Sequence, residues 1–144
     1  MMSTSLINVL VVDDELEILQ SLQTNLELGG YFVKTADTAA KAMKLLDQDE
    51  FDIVLTDINM PVRDGIDLLA DIKEKHGQTL VIMITAYDSM AKVLSSRLYG
   101  AFDFILKPFG DLSEVERVMN SATQHIERWT EVLEEVRQLK QTKV

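Results

Sequence analysis

An α/β fold built on a parallel sheet of five strands is what this sequence predicts. Three observations carry that reading. Five short apolar runs, Ile7–Val12, Tyr31–Thr35, Asp52–Thr56, Leu80–Thr85 and Phe102–Leu106, begin 21 to 28 residues apart. Between them lie segments whose apolar residues recur every three or four positions, the period of an amphipathic helix. The central runs, such as Val9-Leu10-Val11-Val12 and Val81-Ile82-Met83-Ile84, are apolar at every position, as in a strand covered on both faces. Strand and helix alternating at this interval make βαβ units, whose crossovers are right-handed.

Each element follows in order. The first strand stops at Asp13-Asp14, and the helix Glu15–Leu28 carries Leu16, Leu19, Leu22 and Leu26 before Gly29-Gly30 ends it. After the second strand, Thr38–Asp49 places Ala39, Ala42, Met43 and Leu46 on one face. The third strand ends in Asp57, and the helix Asp64–Lys75 carries Ile66, Leu69 and Ile72 up to Gly77. Beyond the fourth strand, Met90–Tyr99 carries Met90, Val93, Leu94 and Leu98 and stops at Gly100. Asp111 or Ser113 is placed to cap the last helix after the fifth strand.

That last helix is longer than a sheet-covering helix needs to be, which is about 14 residues or 21 Å. Val115, Met119, Ala122, Ile126, Trp129, Leu133 and Val136 alternate spacings of four and three, a heptad stripe. The first three are expected on the sheet. From Ile126 onward the stripe is expected to project with nothing of the domain covering it. The chain thus divides into a domain over 1–125 and a coiled-coil-like extension over 126–144, the latter suited to a homodimer contact.

Composition narrows the function. A chain of 144 residues is the size of one domain, and 47% hydrophobic with 26% charged residues is ordinary for a globular protein. With no cysteine, disulfides, Cys-based zinc sites and thiol catalysis are excluded. Fourteen basic against 24 acidic residues give a net charge of −10, which argues against direct nucleic-acid binding. The N-terminal Met1-Met2-Ser3-Thr4-Ser5 has no basic residue, so it does not read as a signal peptide. No stretch approaches the ~18 apolar residues of a membrane span, and a cytoplasmic location is expected.

In an open parallel sheet, ligands bind beyond the carboxyl ends of the strands. Those ends supply Asp13, Asp14 and Glu15, then Asp57, then Thr85 with Ala86 and Tyr87, then Lys107 and Pro108. Taken singly each has a bland reading, as a helix cap, a plain strand end or a loop lysine. Together they place carboxylates, a hydroxyl and an ammonium at the ends of four strands. Two carboxylates at 4 Å repel by roughly 4 kcal/mol at an effective dielectric near 20, so a counter-charge is required. Lys107 supplies part of it. An all-oxygen ligand set favours magnesium over zinc for the rest. A carboxylate is also a nucleophile toward phosphorus, so the constellation reads as phosphoryl transfer onto an aspartate.

Asp13-Asp14, Asp57, Thr85 and Lys107-Pro108 resemble the motifs of the receiver domain of two-component response regulators. The surrounding text does too: Val11-Val12-Asp13-Asp14-Glu15, Asp57-Ile58-Asn59-Met60-Pro61-Val62-Arg63-Asp64-Gly65 and Gly100-Ala101-Phe102-Asp103-Phe104-Ile105-Leu106-Lys107-Pro108-Phe109. The resemblance covers roughly residues 6–125. It implies a doubly wound, flavodoxin-like sheet in the order 2-1-3-4-5. It also implies that Asp57 accepts a phosphoryl group from a sensor histidine kinase or phosphotransfer protein. Asp14, Asp57 and the Asn59 carbonyl would hold Mg2+, with Asp13 acting mainly through water. Lys107 and Thr85 would contact phosphoryl oxygens, and Phe104, where many members have Tyr, would be the aromatic switch. The Lys107–Pro108 bond would be cis, and Asn59 and Tyr87 would tune the lifetime of the phosphoryl group. Such a protein is a signalling switch that catalyses only its own phosphorylation and hydrolysis. Either it stands alone or it is the front piece of a longer chain.

Two other classes compete. A flavin carrier shares the fold class, but needs a hydroxyl- and glycine-rich loop where this chain has Asp-Asp-Glu. A hydrolase working through a phospho-aspartate typically has a second Asp two residues after the nucleophile, where Asn59 stands. Of the remaining residues, His76 is expected exposed at a helix end, His125 lies on the last helix, and Met43, Met60, Met83, Met90 and Met119 are expected to fill the core.

Overall fold

In a computed structural model, which describes residues 7–86, 91–94, 99–107 and 111–142, five strands pair in parallel in the order β2-β1-β3-β4-β5. The elements run β1 (Asn8–Val12), α1 (Leu16–Leu28), β2 (Phe32–Ala36), α2 (Ala39–Gln48), β3 (Ile53–Asp57), α3 (Gly65–Lys75) and β4 (Leu80–Thr85). A helical stretch over 91–94, here α4, precedes β5 (Asp103–Leu106) and α5 (Ser113–Thr142). The order expected from the family resemblance is therefore present, and the element ends differ from the sequence reading by at most two residues, except that both ends of the expected helix Met90–Tyr99 cannot be compared because Met90 and residues 95–98 lie outside the described residues.

Alternation along the buried strands sorts their side chains into two cores. Val9, Val11, Ile53, Leu55, Ile82, Ile84 and Ile105 face a layer formed by α1 and α5. Leu10, Val12, Val54, Val81 and Met83 face a layer formed by α2 and α3, joined by Val93 and Phe104. With period two in the strands, each strand covers both layers, which is why the central runs contain no polar position. Met60, Met83 and Met119 are buried as expected and Met43 is half-buried, whereas Met90 and Leu98 lie outside the described residues.

Caps account for several helix ends. Asp64 accepts from the backbone N–H of Ile66 and Asp67 at 3.0 Å each, and Asp67 returns a bond to the Asp64 backbone, a reciprocal box at the start of α3. Asp111 Oδ1 accepts from the Ser113 backbone at 3.0 Å and from its hydroxyl at 2.6 Å, so Asp111 caps α5. Gly30 and Gly100 hold the positive φ angles, 95° and 93°, that let the chain turn after a helix. Gly77 does not: α3 ends on His76.

Four side chains depart from expectation, one of them Leu94 of α4, which is 60% exposed although it lies on the expected apolar face. Leu16 opens α1 but is 65% exposed, because its turn stands at the sheet edge. His76 is half-buried, 3.5 Å from Asp47 at the end of α2. Ile126 does not project freely; it packs on the α1–α5 core. Beyond it Trp129, Leu133, Val136 and Leu139 are 52–64% exposed.

The direction of α5 follows from its contacts. Thr123 meets the Tyr31 hydroxyl at 3.0 Å, and the His125 ring lies 5.2 Å from that of Phe102. Tyr31 and Phe102 precede β2 and β5, so α5 runs antiparallel to the strands and leaves the domain at their amino ends. No helix among the described residues is long and apolar enough to cross a membrane.

Candidate functional site

At the carboxyl edge of the sheet the ladder is extended residue by residue. The Asp13 N–H donates to the Ala36 carbonyl at 3.2 Å, that of Ile58 to Ile84 at 3.0 Å, and that of Lys107 to Thr85 at 2.8 Å. These bonds fix where the next side chains start, and they bring Asp13, Asp57 and Lys107 together. Lys107 Nζ lies 2.9 Å from Asp13 Oδ2, 3.0 Å from Glu15 Oε1 and 3.4 Å from Asp57 Oδ2. Asp13 and Asp57 are buried, at 0% and 4% exposure. Asp13 Oδ1 is taken by the Glu15 N–H at 2.9 Å, which ties the acidic run to the start of α1.

Burial and charge act against one another here. Desolvation, reinforced by the charge of Asp13, pushes the Asp57 carboxyl up to about 6 despite Lys107 and the Asn59 N–H. Burial also raises Asp13, against the pull of the Glu15 N–H and Lys107. For Lys107 burial disfavours the charge, but its bonds to Asp13 and Glu15 outweigh it and the ammonium is held above the usual lysine range.

The donor set fits a divalent cation. Asp13, Asp14, Glu15 and Asp57 each offer an oxygen within 4.8 Å of one another, and Lys107 neutralises only one of the four charges. Asp13 Oδ2 is buried and accepts no aligned hydrogen bond, although the ammonium is close. Asp14 is exposed on the open side of the cluster. Hard oxygen donors, two buried and two exposed, suit a magnesium ion that keeps part of its water shell.

The remaining expected residues sit around this centre. The Asn59 N–H donates to Asp57 Oδ1 at 3.4 Å. The Thr85 side chain is buried at the end of β4, and its hydroxyl donates to the Ala86 carbonyl at 3.1 Å rather than toward the acids. Phe104 is half-buried among the α2–α3 layer. Tyr87, Pro108, Phe109 and the Lys107–Pro108 bond fall outside the described residues. Two contacts were not expected. Glu15 is a direct partner of Lys107, a role its place in the Asp-Asp-Glu run hints at. Lys92 of α4 reaches Asn59 Oδ1 at 3.1 Å and Asp64 Oδ2 at 3.6 Å, and nothing in its local sequence signals that.

The segment between Asp57 and α3 is tightly turned. The Gly65 N–H donates to the Ile58 carbonyl at 2.8 Å. A Cβ at Gly65 would collide with the Asp57 carbonyl oxygen and stand 2.9 Å from Ile58 Cα. Within the loop, Val62 has a φ of 70° and the Arg63 N–H donates to the Pro61 carbonyl at 2.9 Å. A β-branched residue at the centre of such a three-residue turn is strained.

Comparison with known proteins agrees with this geometry. The family model described as the response regulator receiver domain matches residues 9–120. The chain is 35% identical over 121 residues to the regulatory protein AtoC of Escherichia coli (strain K12), covering 84% of this chain and 26% of that protein. It is 37% identical over 113 residues to the response regulator protein PilR of Pseudomonas aeruginosa, covering 78% and 25%. The chain thus spans about a quarter of the length of these curated relatives. Among solved structures, the response regulator protein TrrA of Thermotoga maritima, in complex with Mg(2+)-BeF, superposes with a TM-score of 0.72 at 30% identity, over 80% of this chain and 97% of that one. With the sheet order, the acidic cluster and the strand-end lysine in place, the family match across residues 9–120 makes this chain a member of the response regulator receiver domain family.

Proposed function

We propose that this chain is a phosphorylation-controlled switch in which Asp57 accepts a phosphoryl group from the histidine of a sensor kinase or phosphotransfer protein. The observation that carries the reading is the buried Asp57 carboxylate set against Lys107, with Asp13, Asp14 and Glu15 beside it. An oxygen of Asp57 forms the new bond to phosphorus. The bond from phosphorus to the donor breaks, and the leaving nitrogen, or acetate from a small donor, takes the electron pair. Lys107 stabilises the charge on the transferring oxygens. Asp14, Asp57 and the Asn59 carbonyl would hold a Mg2+, with Asp13 acting mainly through water, and such an ion would supply the charge neutralisation that lets an anionic donor approach. Likeness to TrrA supports that ion. Water attack on phosphorus later returns Asp57 to its carboxylate, so the domain turns over no metabolite.

Thr85 and Phe104 lie on the two last strands of the sheet, which are paired at Thr85 to Leu106 and at Met83 to Phe104. In this reading the Thr85 hydroxyl leaves the Ala86 carbonyl for a phosphoryl oxygen, Phe104 turns inward, and the face of α4, β5 and α5 carries the signal. A ligand shifts such an equilibrium only by its differential affinity for the two states. Intact-mass measurement after acetyl phosphate tests the acceptor. The protein should gain one phosphoryl mass with Mg2+, none with chelator and none as Asp57→Ala. Labelling that survives either change rules Asp57 out.

The switch is proposed to act in the cytoplasm, with residues 1–125 as the receiver and 126–144 as the extension. The stripe of Trp129, Leu133, Val136 and Leu139 supports a two-stranded contact with a second copy. Sedimentation should give a dimer for the whole chain at tens of micromolar and a monomer for a chain ending at Glu127, which keeps Ile126 on the core. Monomers in both cases, with and without beryllofluoride, exclude the dimer.

A further inference from the structure

We propose that Lys92 is a positioning residue for phosphoryl transfer: a cationic clasp on the loop that follows the acceptor aspartate. The inference rests on the reading of Asp57 as acceptor and adds a residue to that site. Lys92 stands on α4, one βα unit away from the loop it contacts. Its ammonium donates to Asn59 Oδ1 at 3.1 Å and lies 3.6 Å from Asp64 Oδ2. Asn59 is the second residue of the loop and Asp64 its last, so one cation ties both ends. Between those ends sits the Val62 turn at a φ of 70°. At one end the Asn59 N–H touches the Asp57 carboxylate at 3.4 Å. At the other, Asp64 holds the start of α3 with its Oδ1 while its Oδ2 faces Lys92.

A strained turn persists only where its surroundings over-determine it. Other braces of this loop are the Arg63 to Pro61 and Gly65 to Ile58 bonds, the Asp64 capping box and the Arg63–Asp71 ion pair to α3. Lys92 is a brace from outside, and it neutralises Asp64 without occupying the carboxylate centre. As an exposed pair it contributes little to global stability. Its effect falls on where the Asn59 backbone sits relative to Asp57, and a misplacement of about 1 Å there is costly to a transfer reaction. Because Lys92 belongs to α4, the same clasp also makes α4 responsive to events at Asp57.

The test uses the whole chain with acetyl phosphate and saturating Mg2+, followed by intact mass, for wild type, Lys92→Gln and Lys92→Arg. Lys92→Gln should lower the maximal rate constant of labelling by about three- to tenfold, with the half-saturating donor concentration within about twofold of wild type. Lys92→Arg should recover most of the rate. Amide exchange over 59–64 should quicken in Lys92→Gln while the melting temperature stays within about 2 °C. Labelled wild type with an unaltered Lys92→Gln overturns the clasp and leaves Asp57 standing. So does an effect confined to donor half-saturation that fades with salt, which is simple attraction of an anion, or a failure of arginine to rescue. Unlabelled wild type overturns the acceptor reading and the clasp with it.

Discussion

Lys107→Ala is expected to destabilise the metal-free protein by about 3 kcal/mol at pH 7.5 and to cut labelling of Asp57 at least about tenfold. Among the described residues, Lys107 is the cation that lies within 3.4 Å of both buried carboxylates, and its side chain is only 13% exposed. Removing one partner of a buried ion pair leaves the other charge uncompensated, which is the expensive way to break it. The cost should shrink as pH falls toward 4, because Asp57, whose carboxyl is pushed up to about 6, no longer needs the ammonium once protonated. Millimolar Mg2+ should restore part of the stability at pH 7.5 by supplying the missing charge, without restoring the labelling rate. Urea unfolding at pH 7.5 and pH 4.5, with chelator and with Mg2+, checks all of this. A loss that is equal at both pH values would mean that Lys107 acts through its packing rather than its charge.

Asp57→Asn is expected to do the opposite to stability. The carboxyl of Asp57 is pushed up to about 6 in the folded protein from an ordinary value of 3.8. Between those values the folded state binds more protons than the unfolded chain, so this group's contribution falls as pH rises. It is fully favourable below about pH 4 and fully lost above about pH 6. Converted at 1.36 kcal/mol per pH unit, the charged form penalises folding at pH 7.5 by about 3 kcal/mol. An asparagine of the same shape carries no such penalty. The variant should therefore be about 2–3 kcal/mol more stable than wild type at pH 7.5 under chelation, and equal to it near pH 4. It should also be far less stabilised by Mg2+. Thermal unfolding from pH 4 to 8 measures the convergence, and curves that run parallel across that range would contradict it.

How far the site could be read from the sequence depends on what places each residue. Asp13, Asp57 and Lys107 follow directly where apolar runs stop, and a parallel sheet puts those stops on one edge, so a one-dimensional pattern was enough. Glu15 was in view as part of an acidic run, but its bond to Lys107 depends on how α1 turns away from β1. Lys92 was not legible at all. It is one basic residue on a short helical stretch, and only the approach of α4 to the β3–α3 loop gives it partners. The orientation of the Thr85 hydroxyl is likewise a local hydrogen-bond choice, invisible in a residue name. Ile126 differs from its expected place for a different reason. Ile7, Tyr31, Leu80 and Phe102 extend the α1–α5 core at the amino end of the strands, so the sheet covers more helix than its strand length implies. Leu16 fits the helical period and still lies at the rim, since periodicity defines a face but not how far along the axis that face is covered.

The course of α5 has a mechanical consequence. Its first turns rest on the sheet, beginning at the edge where Lys107 and Asp57 meet, and its last turns stand clear of the opposite edge. The sixteen residues that follow Ile126, Glu127 to Thr142, make a rigid arm of about 24 Å at 1.5 Å per residue. A tilt of about 5° at the root, well within what packed helices tolerate when they shift, would sweep the tip through about 2 Å. Displacements too small to disturb the cores around Val115 and Met119 would thus arrive at the far end magnified. The helix works as a pointer whose pivot lies on the sheet and whose free end lies outside the domain.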